Sequence, residues 1–114
     1  LGARVLAAEH VYRETPFNLV VPAAQIIPSM ENDEEILVQG IIDLFFAEGP
    51  DIVLVDYKTD SLWGMSANYR EEVVERYQGQ LALYKEALEK LLNKKVSEAY
   101  VYLFSAGEAI LFPV

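Results

Sequence analysis

The sequence predicts a mixed α/β (α+β) domain, with a central mixed β-sheet flanked by helices. Three observations carry this. Apolar, β-branched runs recur at Glu35–Ala47, Ile52–Lys58 and 96–112. A long stretch between them, Asn68 to Asn93, repeats its apolar residues at helical spacing. The whole is 114 residues, one domain's worth of chain.

Leu1–Ala8 predicts the end of a helix, with Leu1, Val5 and Leu6 on a shared face, and the chain reads as a piece of a longer protein. His10–Pro22 predicts an extended segment, with Pro16 marking an edge or a bulge. Ala23–Asn32 has weak periodicity and contains Pro28, so it predicts a loop. Glu35–Ala47 and Ile52–Lys58, separated by "EGPD", predict a hairpin. Thr59–Ala67 predicts a connecting loop carrying Trp63 and Gly64. Asn68 with Glu71 three residues later fits a capping box. Val73, Tyr77, Leu81, Tyr84, Leu88 and Leu91 then form one helical stripe. The final segment, "VSEAYVYLFSAGEAILF", predicts two strands turning at Ser105–Glu108, with Gly107 in the turn.

Composition narrows the chemistry. Apolar residues are 53% and charged residues 24%, enough for a core and too apolar for a disordered chain. Cysteine is absent, which excludes disulfides, thiolate zinc, iron–sulfur clusters and a cysteine nucleophile. His10 is the only histidine, so a histidine-rich metal site or a histidine–serine dyad has little to build on. No apolar run is long enough to span a bilayer, so no membrane partner is expected. The net charge of −9 argues against a broad phosphate-binding surface and is compatible with a carboxylate metal site.

The hairpin holds charges in an apolar setting. With the loop at Glu48–Asp51, Ala47 faces Ile52, and Asp43 then lies opposite Asp56, with Lys58 on the same face. Ile42, Leu44 and Phe46 against Val53, Val55 and Tyr57 form the expected core layer. The acidic face, with Ile41, Phe45 and Leu54, is expected to be partly covered. Facing carboxylates repel, and burial raises the cost. A divalent cation held by Asp43 and Asp56 compensates, and Lys58 adds a positive donor for a water or phosphate oxygen. A plainer reading stays open: Asp56 pairs with Lys58 near a strand end, and Asp43 bonds a backbone amide. On the helix, Gln80 and Tyr84 share a face one turn apart, and Gly79 costs about 1 kcal/mol relative to alanine. They read either as groups facing a site, with Gly79 allowing close approach, or as a core amide and tyrosine. Glu14 is a weaker candidate, free to bond to Lys58 or to a metal-bound water, or to pair with Arg13 or Arg70 at a surface. Trp63 and Tyr69 are candidates for stacking on a base.

"GIIDL", "VLVDYKTD" and "YQGQLALYKEAL", in this order, resemble the RecB-like nuclease domain of the PD-(D/E)xK superfamily, as found at the C-terminus of AddA-type helicase–nuclease subunits. "YRETPF" resembles the strand that precedes the site. The resemblance covers His10 to Phe112 and implies a restriction-endonuclease-like fold. It implies that Asp43, Asp56 and the Tyr57 carbonyl hold Mg²⁺ (Mn²⁺ being an alternative), that Lys58 is the catalytic lysine, and that Gln80 and Tyr84 back the site. The implied activity is metal-dependent exonucleolytic DNA hydrolysis in a bacterial, cytoplasmic complex that processes double-strand breaks for recombinational repair. A second helicase–nuclease subunit is the implied partner. ATP would serve motor domains outside residues 1–114, which contain no G-x-x-x-x-G-K-[ST] loop. The family's upstream histidine falls before Leu1 when the motifs are matched. Two other readings stand beside this one: a non-catalytic nuclease-like DNA-binding or assembly module, and a stand-alone phage or repair exonuclease of the same superfamily.

Overall fold

A computed structural model describes residues 1–26, 29, 34–59 and 68–113. The elements run α1 (Gly2–Ala7), β1 (Val11–Pro22), α2 (Ala23–Ile26), β2 (Glu35–Glu48), β3 (Asp51–Lys58), α3 (Tyr69–Leu92), β4 (Val96–Leu103) and β5 (Glu108–Phe112). The strands form one sheet in sequence order. All neighbours are antiparallel except β3 and β4, which run parallel and are joined through α3. The expected mixed sheet with helices is present. The short α2 occupies part of the segment read as loop, whereas the Thr59–Ala67 loop lies, apart from Thr59, outside the described residues.

The β2–β3 register is the expected one, Ala47 opposite Ile52. The turn is tighter than the sequence suggests. Glu48 pairs with Asp51, leaving Gly49 at φ +62 and then Pro50, the order that a type II′ hairpin requires. The start of α3 differs as well. Asn68 makes no side-chain cap hydrogen bond; its carbonyl instead accepts from Glu71 and Glu72 N–H. Asn93 ends the helix in the left-handed region.

The two sheet faces are unequal, and the heavier core is the opposite of the one expected. Phe45, Leu54, Val101 and Leu103 pack beneath α3 with Val73, Leu81 and Leu88. Leu44, Phe46, Val53 and Val55 form a smaller layer under α1, with Leu1 and Val5. The acidic face is therefore the face of the main core. Ile42 joins that core rather than the layer of Leu44 and Phe46, while Ile41 and Tyr57 are exposed.

Ile42 changes sides because the alternation inverts. On β2, Val38 and Ile42 face α3, and so do Phe45 and Ala47. On β1, Tyr12 stacks on Phe45 at 4.8 Å, yet Phe17, Leu19 and Val21 face the same core. Strict two-residue alternation cannot do this. The step falls at Glu14, which has φ +47 and is absent from the ladder between Arg13–Leu44 and Thr15–Ile42. A non-glycine residue in that region is locally strained.

Docking of α1 is electrostatic as well as apolar. Arg4 clamps Glu48 through two hydrogen bonds, 2.9 and 2.7 Å, and also reaches Glu98 and Tyr100. These contacts push the Arg4 pKa further up, and Arg4, then Tyr100, hold Glu98 down at about 2.

Two glycines test the packing in opposite directions. A Cβ on Gly40 would sit 2.7 Å from the Phe17 ring, whereas one on Gly79 would meet nothing within 4 Å among the described residues. Gly79 therefore does not serve close approach to the sheet. In chemical denaturation, Gly40→Ala should destabilise by about 1–3 kcal/mol. Gly79→Ala should stabilise by about 1 kcal/mol.

Candidate active site

Beyond Leu44–Val55, β2 and β3 no longer pair. β3 continues along β4, with Asp56 opposite Val101 and Lys58 opposite Leu103. β2 continues along β1. The sheet thus forks one residue past the last rung, at Asp43 and Asp56. Tyr57 N–H has lost its ladder partner on this side and donates to Asp43 Oδ2 at 2.8 Å. The Asp43 side chain therefore reaches across the fork toward the β3 backbone. Phe104 N–H donates to the Lys58 carbonyl on the β4 side. Because strand carbonyls alternate in direction, the Tyr57 carbonyl points to the fork.

Asp56 is the buried charge in this arrangement, 2% exposed. Burial first, and then the hydrogen-bonded Asp43 carboxyl, push its pKa up to about 6, against the pull of Lys58. Lys58 Nζ lies 3.0 Å from Asp56 Oδ2. That contact is an ion pair rather than an aligned hydrogen bond, since Oδ2 has no hydrogen-bond partner among the described residues. Burial works to lower the Lys58 pKa, but Asp56, with Tyr77 and Tyr84 behind it, raises it on balance.

The helix α3 closes the back of the fork. Gln80 Nε2 donates to Tyr84 Oη at 2.8 Å. Burial and then the negative charge of Asp56 raise the Tyr84 pKa, so this hydroxyl stays protonated and lies within the field of the site. Phe17 meets the Tyr84 ring edge-on at 5.3 Å, and the bare Gly40 backbone makes room for Phe17. The glycine of "GIID" thus sets the position of the tyrosine.

Of the residues singled out in the sequence, Asp43, Asp56, Tyr57 and Lys58 meet at the fork, and Tyr84, held by Gln80, stands behind it on α3. The plainer reading of the acids is also present, because Asp43 does hold a backbone amide and Asp56 does pair with Lys58. The two readings are compatible. Asp43 and Asp56 still meet, with the buried Asp56 Oδ2 facing the Lys58 ammonium at 3.0 Å. Two carboxylates that meet beside a backbone carbonyl fit a hard divalent cation. Among the described residues no group of three His, Cys, Asp or Glu side chains is gathered, so the fit rests on two acids and a carbonyl.

The weaker candidates, Glu14, Tyr69 and Trp63, stand differently. Arg70 pairs with Glu108, not Glu14. Tyr69 donates its hydroxyl to Glu108 at 2.6 Å, which ties it to β5 rather than leaving it to stack on a base. Trp63 lies outside the described residues. Tyr77, read from the sequence only as part of the apolar stripe, has its ring 4.6 Å from Lys58 Nζ. Its place one turn before Gln80 and two before Tyr84 is the signal that marks it.

The raised Asp56 pKa has a defined sign. Its unfolded value is 3.8 and its folded value about 6, so the folded chain binds the proton more tightly between them. With chelator present, stability should fall as pH rises from about 4 to about 6, by a few kcal/mol at most. Asp56→Asn should flatten that window in denaturation curves. Glu98 acts oppositely and lower: its contribution, present above 4.5, is lost as pH falls toward about 2. An unchanged slope in Asp56→Asn would mean that another group titrates.

Comparison with known proteins points the same way. The PD-(D/E)XK nuclease superfamily matches residues 2–112. A protein of Syntrophomonas wolfei that is named as an ATP-dependent helicase/nuclease subunit is 48% identical over 110 residues, 96% of this chain and 9% of the relative. The protein of the same name in Clostridium acetobutylicum is 46% identical over 113 residues, with the same shares covered. That of Geobacillus thermodenitrificans is 42% identical over 117 residues, 97% of this chain and 9% of the relative. The chain therefore spans about 9% of the length of these curated relatives.

Proposed function

The chain belongs to the PD-(D/E)XK nuclease superfamily, and from that premise we propose that it is the DNA-cleaving domain of an ATP-dependent helicase–nuclease. The observation that carries the reading is the fork, where a buried Asp56 meets Asp43 and pairs with Lys58 at 3.0 Å. A solvated ion pair would be the cheaper way to place these charges. Their burial together is what a cation-dependent site needs.

Asp43, Asp56 and the Tyr57 carbonyl would hold Mg²⁺ or Mn²⁺. The cation supplies Lewis acidity for phosphodiester hydrolysis. The protein's own groups do the rest. Asp43, tied to Tyr57 N–H, is fixed before any ligand arrives. Lys58 is protonated and can donate to a water or to a phosphate oxygen as negative charge develops. Gln80 orients the Tyr84 hydroxyl, which gives a second donor, this one neutral, at the back of the site. The main core beneath α3 keeps water from the inner side of the fork.

The chain's net charge of −9 leaves most DNA-backbone contacts to other parts of the parent protein. ATP hydrolysis would also lie there, and a second helicase–nuclease subunit would complete a cytoplasmic bacterial complex that processes double-strand breaks for recombination. No helix among the described residues is long and apolar enough to cross a membrane.

Separation of parts gives the test. In the full-length protein, Lys58→Ala should cut DNA cleavage about a hundredfold or more. ATP-driven unwinding of the same linear duplex should be unchanged. Cleavage retained within a few-fold would remove Lys58 from the reaction, and joint loss of both activities would indicate misfolding.

A further inference from the structure

The Lys58 ammonium is held from two sides. Asp56 Oδ2 lies 3.0 Å away on β3, and the centroid of the Tyr77 ring lies 4.6 Å away on α3. Tyr77 is partly buried against the main core, so its ring is anchored by packing. We infer that Tyr77 is a positioning residue whose ring face seats the Lys58 ammonium at the fork. The inference rests on the proposed nuclease reading and adds a residue that acts through Lys58.

The need for a seat follows from competition for Asp56. A lysine has a flexible four-carbon stem and several rotamers to lose. An ion pair at one carboxylate oxygen fixes its charge but not its direction. That same carboxylate also meets Asp43 and would contribute to a cation site. An ammonium held only by Asp56 would be repelled as soon as the carboxylate served a second positive charge. An aromatic face attracts a cation through its quadrupole and consumes no carboxylate oxygen. The Lys58 side chain is 19% exposed, so the contact is largely shielded from water. The ammonium lies over the ring, 4.6 Å from its centroid. Phenylalanine should therefore serve, and an aliphatic side chain of similar bulk should not.

Two measurements test this. In the complete helicase–nuclease, Tyr77→Leu should lower kcat for cleavage about tenfold, equivalent to about 1.4 kcal/mol and within the range of a shielded cation–π contact. KM for DNA and the unwinding rate should not move. Tyr77→Phe should stay within about twofold of wild type. In a Lys58→Ala background, Tyr77→Leu should have no further effect, a non-additivity that loss of packing would not produce. In the 114-residue chain, NMR should show the Lys58 ε-methylene protons shifted upfield by the ring. The shift should persist in Tyr77→Phe and vanish in Tyr77→Leu.

Normal kcat in Tyr77→Leu beside an inactive Lys58→Ala would overturn the seat and leave the nuclease reading standing. Equal losses in Tyr77→Phe and Tyr77→Leu would also overturn it, by assigning the effect to the hydroxyl. Cleavage by Lys58→Ala would overturn the nuclease reading first. An unshifted Lys58 resonance in the wild-type chain overturns the seat without any substitution, so a variant that fails to fold cannot protect it.

Discussion

Everything at the site depends on the parting of β2 from β3 after Leu44 and Val55. A continued ladder would satisfy Tyr57 N–H with backbone and close the space between Asp43 and Asp56. The fork instead leaves an amide donor and a carbonyl without strand partners on that side. Asp43 takes the amide at 2.8 Å. A charge-assisted bond of this kind contributes about 1.5–3 kcal/mol, comparable to the backbone bond it replaces. The sheet can therefore open here with little net loss. The opening exposes a carbonyl and two carboxylate groups to one small volume.

The cost is concentrated in Asp56. A carboxyl at 2% exposure with its pKa raised to about 6 is a destabilised charge at neutral pH. Valine there would give a more stable sheet, since the neighbouring Val53, Leu54 and Val55 are all fully buried. Lys58 offsets only part of that cost. On the proposed nuclease reading, retaining such a pair in the main core is a choice of site over stability. The same trade explains Gly40, which gives up strand propensity so that Phe17 can brace Tyr84.

Much of this is legible in the residues themselves. The tight "EGPD" turn fixes the register, and the register brings Asp43 to Asp56. The spacing of Gln80 and Tyr84 puts both on one helix face. What sequence pattern does not reveal is the inversion of alternation at Glu14, because nothing in a glutamate announces φ +47. That step moves Ile42 to the α3 side and makes the acidic face the deeper one. Periodicity likewise does not separate the two roles of the α3 stripe. Leu81 and Leu88 are buried core, while Tyr77 and Tyr84 sit at the rim, where a ring or hydroxyl can meet a charge. Asn68 and Glu71 match a capping pattern, but the helix starts on backbone bonds alone.

On the proposed reading, the fork holds a divalent cation between Asp43 and Asp56. Crystals of the chain grown with Mn²⁺ test it most directly, because manganese is identified by its anomalous scattering. One strong anomalous peak should appear within coordinating distance of Asp43, Asp56 and the Tyr57 carbonyl, with Lys58 still against Tyr77. An empty fork at saturating Mn²⁺, with Asp43 and Asp56 unchanged, would contradict it.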